Sequence, residues 1–82
     1  MRGEIIERVV SYLAKAIAEE PDAVKIKMIE EGQDGVLAEV RTAKRDMGRV
    51  MGRRGRVANA IRTVARAAGE EEGLQADVEF VD

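Results

Sequence analysis

Residues 47–62 read MGRVMGRRGRVANAIR, a segment in which two glycines stand three positions apart between two helical patterns. Before the glycines, the apolar side chains of residues 44–51 share one side of a short helix. After them, residues 56–68 carry apolar side chains at helical spacing. The members of this expected buried stripe are Val57, Ile61, Val64 and Ala68. We therefore predict two helices joined by a tight turn at residues 52–55, with Gly69 just beyond the second helix.

The segments on both sides of this helical pair alternate between apolar and polar residues, as half-buried strands do. Residues 24–28 alternate in this way, turn-forming residues occupy positions 32–35, and residues 36–41 alternate again. This combination predicts an antiparallel hairpin. Residues 74–80 alternate in the same manner and predict a third strand.

An amphipathic helix is predicted over residues 3–19, because its apolar residues recur every three or four positions, and Pro21 ends it. The element order is then α-β-β-α-α-β, and the fold class is α+β. Two helices separate the last two strands, so a right-handed crossover makes those strands parallel. We expect a three-stranded mixed sheet with three helices on one face. A chain of 82 residues holds one core, so we expect a single domain over residues 1–82.

The basic residues are concentrated around the glycine turn. Residues 44–66 contain eight basic side chains and one acidic side chain, a net charge of +7, and the rest of the chain carries −9. The overall net charge of -2 and the pI of about 5.2 would by themselves argue against a nucleic-acid partner. The distribution reverses that argument, because seven of the eight basic residues are arginines, which make forked contacts with phosphate.

Several kinds of function are excluded by composition. The chain has no Cys and no His, which removes disulfides, Cys/His zinc sites, thiol nucleophiles and histidine acid–base chemistry. Its acidic residues cluster at the ends of predicted elements without ligand spacing, so we expect no metal, no cofactor and no enzymatic activity. The apolar runs are far shorter than a signal peptide core or a membrane span. The cytoplasm is therefore the expected location.

The turn at residues 52–55 has the chemistry of a phosphate-binding site. Glycine permits positive φ and leaves room for a ligand to approach the backbone. The second helix begins at this turn, so its free N–H groups and the positive end of its dipole point outward. Arg53 and Arg54 in the turn, together with Arg49 and Arg56 beside it, supply charge-assisted hydrogen bonds.

Residues 51–55 (MGRRG), followed by apolar Val57 and Ile61, resemble the GXXG signature of KH domains. With a helix and a strand preceding the β-α-α-β unit, the element order resembles the type II KH fold. The short chain is similar to the single-KH proteins of the bacterial KhpA family. The resemblance covers essentially the whole chain, and the continuation of the motif through residues 60–62 strengthens it.

The resemblance implies a binding site for single-stranded RNA, because the KH loop clamps the backbone of about four nucleotides. The implied clamp consists of Gly52, Arg53, Arg54 and Gly55. The implied apolar floor of the base groove consists of Val50, Val57 and Ala58, and Val40 forms the opposite wall. Tyr12 and Phe80 are the only aromatic residues, so we expect no stacking platform and only weak, promiscuous binding. The implied role is post-transcriptional regulation or RNA chaperoning.

Two other functions stay open from the sequence. A helix-turn-helix DNA binder would use residues 56–68 as its recognition helix, with Asn59, Arg62 and Thr63 at base edges, although the strands count against a purely helical module. A protein–protein adaptor would use the KH fold for assembly. The resemblance implies a homodimer, or a heterodimer with a larger KH-containing protein of the KhpB/Jag type. RNA binding and assembly can coexist in one domain.

Overall fold

The chain forms helices and strands in the order α-β-β-α-α-β that its sequence predicts. The computed structural model describes residues 2–81. The elements are α1 (Glu4–Ile17), β1 (Lys25–Glu31), β2 (Gly35–Arg41), α2 (Met47–Met51), α3 (Arg56–Glu71) and β3 (Gln75–Val81). Short 3-10 turns cover Pro21–Ala23, Lys44–Asp46 and Arg53–Gly55. Over residues 2–81, none of the helices combines the length and apolar character that crossing a bilayer requires.

The sheet has the strand order β1-β2-β3, so β2 is the central strand. β1 and β2 are antiparallel, with Ile26 opposite Val40, and β2 and β3 are parallel, with Val40 beside Phe80. A parallel pair needs a crossover connection, which α2 and α3 provide. The prediction of an α+β fold with a three-stranded mixed sheet is therefore confirmed.

The core lies between the sheet and the two long helices, α1 and α3. Its fully or almost fully buried members are Ile6, Val10, Ala14, Val36, Ala38, Val40, Ile61, Ala65 and Val78. The intervening residues of β3, such as Asp77 and Glu79, are exposed on the other face of the sheet. One apolar layer thus holds the domain together, as expected for a sheet covered on a single face.

The buried face of α3 differs from the predicted stripe. The buried residues are Ala58, Ile61, Ala65, Ala68 and Gly69. Val64, which was predicted to be buried, is 43% exposed. The buried face is rotated by about 60° around the helix axis relative to the prediction. Small residues allow the α3 backbone to approach its neighbours closely, so packing selects the alanine face over the bulkier valine face.

Two helix ends also differ from their predictions. α3 continues to Glu71, so Gly69 lies inside the helix and not at its C′ position. Gly69 is buried there, and it has no room for a side chain, because a Cβ would lie 2.8 Å from the carbonyl oxygen of Leu74. Gly73, with φ of 70°, makes the turn instead. α1 ends at Ile17, before Pro21 is reached, because Ala18 is already extended.

Candidate nucleic-acid interface

The connection between α2 and α3 is built from residues with positive φ. Gly52 has φ of 76° and ψ of 168°, and Gly55 has φ of 70°. The Gly52 N–H donates to the carbonyl of Gly48 (2.9 Å), and the Gly55 N–H donates to the carbonyl of Gly52 (3.1 Å). These bonds close the turn within four residues and bring the end of α2 against the first turn of α3.

Arg54 is held in a strained conformation at the tip of this loop. Its φ of 58° and ψ of 27° fall in the left-handed region, and it is the one non-glycine residue with positive φ among residues 2–81. Such a conformation costs about 1–3 kcal/mol and is found most often at functional sites. The strained backbone makes the exposed Arg54 a candidate binding residue.

α3 begins at this loop, and its first backbone N–H, that of Arg56, already donates to the carbonyl of Arg53. Gly55 occupies the N-cap position and makes no side-chain capping hydrogen bond. The first N–H groups of an α-helix have no partner within the helix, and they carry a partial positive charge. An anionic oxygen in front of the first turn of α3 would meet the N–H groups that follow Arg56 and the positive end of the dipole.

Three arginines surround these donors without a carboxylate partner. Arg53, Arg54 and Arg56 are exposed, and none of them forms an ion pair with another residue in the described part of the chain. Their charges are therefore free to act on a ligand. The combination of uncapped donors and unpaired guanidinium groups suits phosphate.

Arg49, the fourth arginine predicted to contact phosphate, is already engaged. Its Nη2 lies 3.3 Å from Oε1 of Glu19, and its Nε lies 3.7 Å from Oδ1 of Asp46. Arg45 is paired in the same way, with its Nε 2.8 Å from Oε2 of Glu20. Arg45 and Arg49 are thus paired with carboxylates, whereas the arginines of the loop and of the start of α3 are not.

The buried carboxylate of Asp46 holds the backbone of Glu19 and Glu20 beside these arginines. Oδ1 accepts the backbone N–H of Glu19 (3.1 Å), and Oδ2 accepts the backbone N–H of Glu20 (3.0 Å). The hydrogen bond from Glu20, with further help from Glu19, Arg45 and Arg49, lowers the pKa of Asp46 despite the opposing effect of burial. The sequence does not reveal this role, because Asp46 stands as a single acid within a basic segment.

The apolar residues predicted to line a base groove lie mostly in the core. Val50 and Ala58, predicted as its floor, have no exposed surface, and Val57 is half-buried. Val40, predicted as the opposite wall, is also fully buried, because it belongs to the central strand. A fully buried side chain offers no surface to a base, so these three residues support the site from beneath. The strand that packs beside α3 is β3, which lies at the edge of the sheet.

A polar contact between α3 and β3 was not predicted. The Arg62 Nε donates to the carbonyl of Val78 (3.0 Å), and its Nη1 donates to Oδ1 of Asn59 (2.9 Å). The guanidinium also lies 5.7 Å from the centre of the Phe80 ring. This contact occupies two of the three side chains that the helix-turn-helix interpretation assigned to base edges. No local sequence signal links Arg62 to a strand sixteen residues away.

Comparison with known proteins identifies the family. The sequence model described as the KhpA/KhpB KH domain matches residues 7–80. The chain belongs to this family. Members of the KhpA/KhpB family that resemble it include proteins named RNA-binding protein KhpA from three bacteria. The Caldanaerobacter subterraneus subsp. tengcongensis protein is 40% identical over 79 residues, covering 96% of this chain and 99% of the relative.

The other two KhpA proteins match over almost as much of both chains. The Borreliella burgdorferi protein is 34% identical over 80 residues, covering 98% of this chain and 95% of the relative. The Streptomyces coelicolor protein is 38% identical over 78 residues, covering 95% and 96%. No solved structure matches the chain significantly. The match over the full fold confirms the predicted membership of the KhpA family.

Proposed function

We propose that this chain binds single-stranded RNA as one KH domain over residues 1–82, with the loop Gly52–Gly55 holding the sugar–phosphate backbone. The observation that carries the proposal is the coincidence of the uncapped N-terminus of α3 with three unpaired arginines. The relatives named RNA-binding protein KhpA support it.

In the proposed complex, a phosphate oxygen accepts hydrogen bonds from N–H groups that follow Arg56 in the first turn of α3, because the Arg56 N–H is already bonded to the carbonyl of Arg53. Arg53 and Arg54 reach the same or neighbouring phosphates, and Arg56 extends the positive surface along α3. The absence of a side chain at Gly55, where a Cβ would meet no atom within 4 Å, leaves the backbone accessible, so the strand can lie directly against the loop. Phosphate contacts of this kind position the strand but read no base identity.

We expect modest affinity and little sequence preference. Proteins with strong base-stacking surfaces gain about 1–3 kcal/mol per stacked base from aromatic side chains. Here Tyr12 is exposed on α1, and Phe80 lies under Arg62. Weak, sequence-tolerant binding suits a protein that meets many transcripts, such as a post-transcriptional regulator or an RNA chaperone in the cytoplasm.

A second function, assembly with another KH domain, is favoured by an exposed apolar surface on α1 and α3. Tyr12 is 73% exposed, and Ile5 and Val64 are each 43% exposed. Together with Val9 and Leu13 they line one shallow cavity. Val64 lies about 12 Å along α3 from Arg56. This surface can therefore pair with a second copy, or with a larger KhpB/Jag-type protein, while the loop binds RNA.

The RNA-binding proposal is tested with the double variant Arg53→Asp, Arg54→Asp. The control Lys15→Glu, Lys25→Glu changes the net charge by the same amount at exposed positions away from the loop. Fluorescence anisotropy with a random single-stranded RNA pool should give at least a tenfold loss of affinity for the loop variant only. With about two to four phosphate contacts, the parent should have a log–log salt slope of about −1.4 to −2.8. Parent-like binding by the folded loop variant contradicts the proposal.

The assembly proposal is tested by light scattering on the parent and on Tyr12→Glu. The control is Gln75→Glu, which places the same charge at an exposed position on β3. A dimeric parent and control with a monomeric Tyr12→Glu support self-association through this surface. A parent that stays monomeric at all concentrations, or dimers of all three proteins, contradicts it.

A further inference from the structure

The turn after α1 brings two glutamates to the arginines that precede the glycine loop. Glu19 and Glu20 are exposed, and they approach Arg49 and Arg45 at 3.3 Å and 2.8 Å. A carboxylate facing a guanidinium group offers the same oxygens and the same charge sign as a phosphate. In the free protein, the acidic pair therefore takes the position that a phosphate would take on these arginines.

The backbone of the acidic turn is held in place beside these arginines by hydrogen bonds. Asp46, which has no exposed surface, binds the N–H groups of Glu19 and Glu20 with its two oxygens. Asp46 immediately precedes α2, so the acidic turn is attached to the element that carries Arg49. Each arginine consequently has a carboxylate on a nearby segment whose backbone is held in place.

The pairing divides the basic segment into two parts. Before the loop, the two arginines face three carboxylates, whereas Arg53, Arg54 and Arg56 face none among the described residues. Arg49 lies only three residues before Gly52, about 4.5 Å along the helix axis. A strand leaving the loop toward α2 thus meets arginines whose charge is already satisfied.

We propose that Glu19 and Glu20 compete internally with RNA phosphate for Arg49 and Arg45, and thereby set the affinity and the α2-side limit of the bound strand. This inference rests on the proposed RNA-binding function of the loop. Ion pairs at half-exposed positions are weak, so phosphate can displace the glutamates reversibly. This competition keeps RNA binding weak and confines the bound strand to the loop.

The test is Glu19→Gln, which retains the shape and the backbone hydrogen bond but removes the charge. Glu71→Gln is the control, since it removes one charge at the far end of α3, about 22 Å from the loop. Arg49 then keeps only its longer contact with Asp46 (3.7 Å), and affinity for single-stranded RNA should rise about two- to fivefold, the range set by an exposed ion pair. The salt slope should become steeper by about 0.7, equivalent to one further phosphate contact.

A double-mutant cycle separates local competition from a general change in charge. In the Arg49→Gln background, Glu19→Gln should have no more effect than Glu71→Gln, because no arginine is left to be freed. An equal gain with and without Arg49, or no gain at all while the parent binds through Arg53 and Arg54, overturns the inference. Failure of the RNA-binding proposal itself gives a different result: RNA binding by the parent would then not depend on Arg53 and Arg54.

Discussion

Val57 fills the space beside Gly52: a Cβ atom at Gly52 would lie 2.8 Å from both the Cβ and the amide nitrogen of Val57. The end of α2 and the start of α3 can approach this closely only without a side chain at position 52. The φ of 76° and ψ of 168° at this residue are also nearly restricted to glycine. The glycine is therefore required twice, once by space and once by conformation.

Replacing this residue should damage both the fold and the proposed site. Gly52→Ala is expected to cost at least about 1–3 kcal/mol in unfolding free energy, because the strained backbone and the contact with Val57 both oppose a methyl group. Gly48→Ala is the control, since a Cβ there meets no atom within 4 Å and the position is helical. It should gain up to about 0.5–1 kcal/mol. Urea unfolding measures both, and equal effects would contradict the prediction.

Asp46 should make the stability of the domain sensitive to acid. Its pKa is lowered in the folded state by the N–H groups of Glu20 and Glu19, so folding favours the ionised form. That contribution is complete above the ordinary pKa of about 3.9 and is lost as the pH falls through the lower folded value. Asp46→Asn removes the contribution at every pH.

The measurement is urea unfolding of the parent and Asp46→Asn over a pH series. The difference in unfolding free energy between the parent and Asp46→Asn should be largest above about pH 5 and should shrink below about pH 4. The other carboxylates titrate in both proteins, so their effects largely cancel in the difference. A margin that stays constant across the series would show that ionisation of Asp46 does not contribute.

At position 69, glycine should stabilise the protein more than alanine does, which is the reverse of the usual preference within a helix. Alanine normally stabilises a helix relative to glycine by about 0.5–1 kcal/mol. At position 69 a Cβ would meet the carbonyl oxygen of Leu74 at 2.8 Å and the Cβ of Ala76 at 3.0 Å. We therefore expect Gly69→Ala to destabilise the protein by about 1–3 kcal/mol through overpacking.

The matched control for Gly69→Ala lies two residues earlier, at exposed Ala67. Ala67→Gly should lose about 0.5–1 kcal/mol, in line with helix propensity. The preference for alanine over glycine should thus have opposite signs at positions 67 and 69, as measured by thermal or urea unfolding. The same sign at both positions would mean that β3 moves to accept the methyl group.

Arg62 should stabilise the edge strand more than its neighbour Arg66 does. Arg62→Lys loses the planar guanidinium that bonds Val78 and Asn59 at the same time, which should cost about 1 kcal/mol. Arg66 makes an exposed ion pair with Asp77, so Arg66→Lys should stay within about 0.5 kcal/mol of the parent. Hydrogen exchange of β3 amides provides a second readout. Equal protection of the β3 amides in Arg62→Lys and Arg66→Lys would contradict the prediction that Arg62 stabilises this strand.

The α-β-β-α-α-β order, the hairpin and the position of the loop were predictable because their signals are local. Periodicities of 2 and 3.6 residues distinguish strands from helices. The parallel pairing of β2 with β3 followed from the length of the connection between them, and the register confirms it. The KH resemblance at residues 51–55 was likewise contained in a few adjacent residues, and the family match agrees with it.

The environment of individual site residues was less accessible from sequence. Val40, Val50 and Ala58 were expected to line a groove, but all three are fully buried. An apolar residue beside a binding loop has the same local pattern whether it lies in the groove or beneath it. Only the packing of α2, α3 and the sheet decides between the two.

The sequence by itself determined the elements, their order, the glycine turn and the concentration of arginines around it. The tertiary structure decided which of those arginines are free. Glu19 and Arg49 are thirty positions apart, and Asp46 holds their segments together by hydrogen bonds that no periodicity encodes. Ion pairs depend on distances through space, and those distances exist only once the helices have packed. For this reason the +7 segment reads as uniformly basic in sequence but divides into a neutralised part and a free part in the fold.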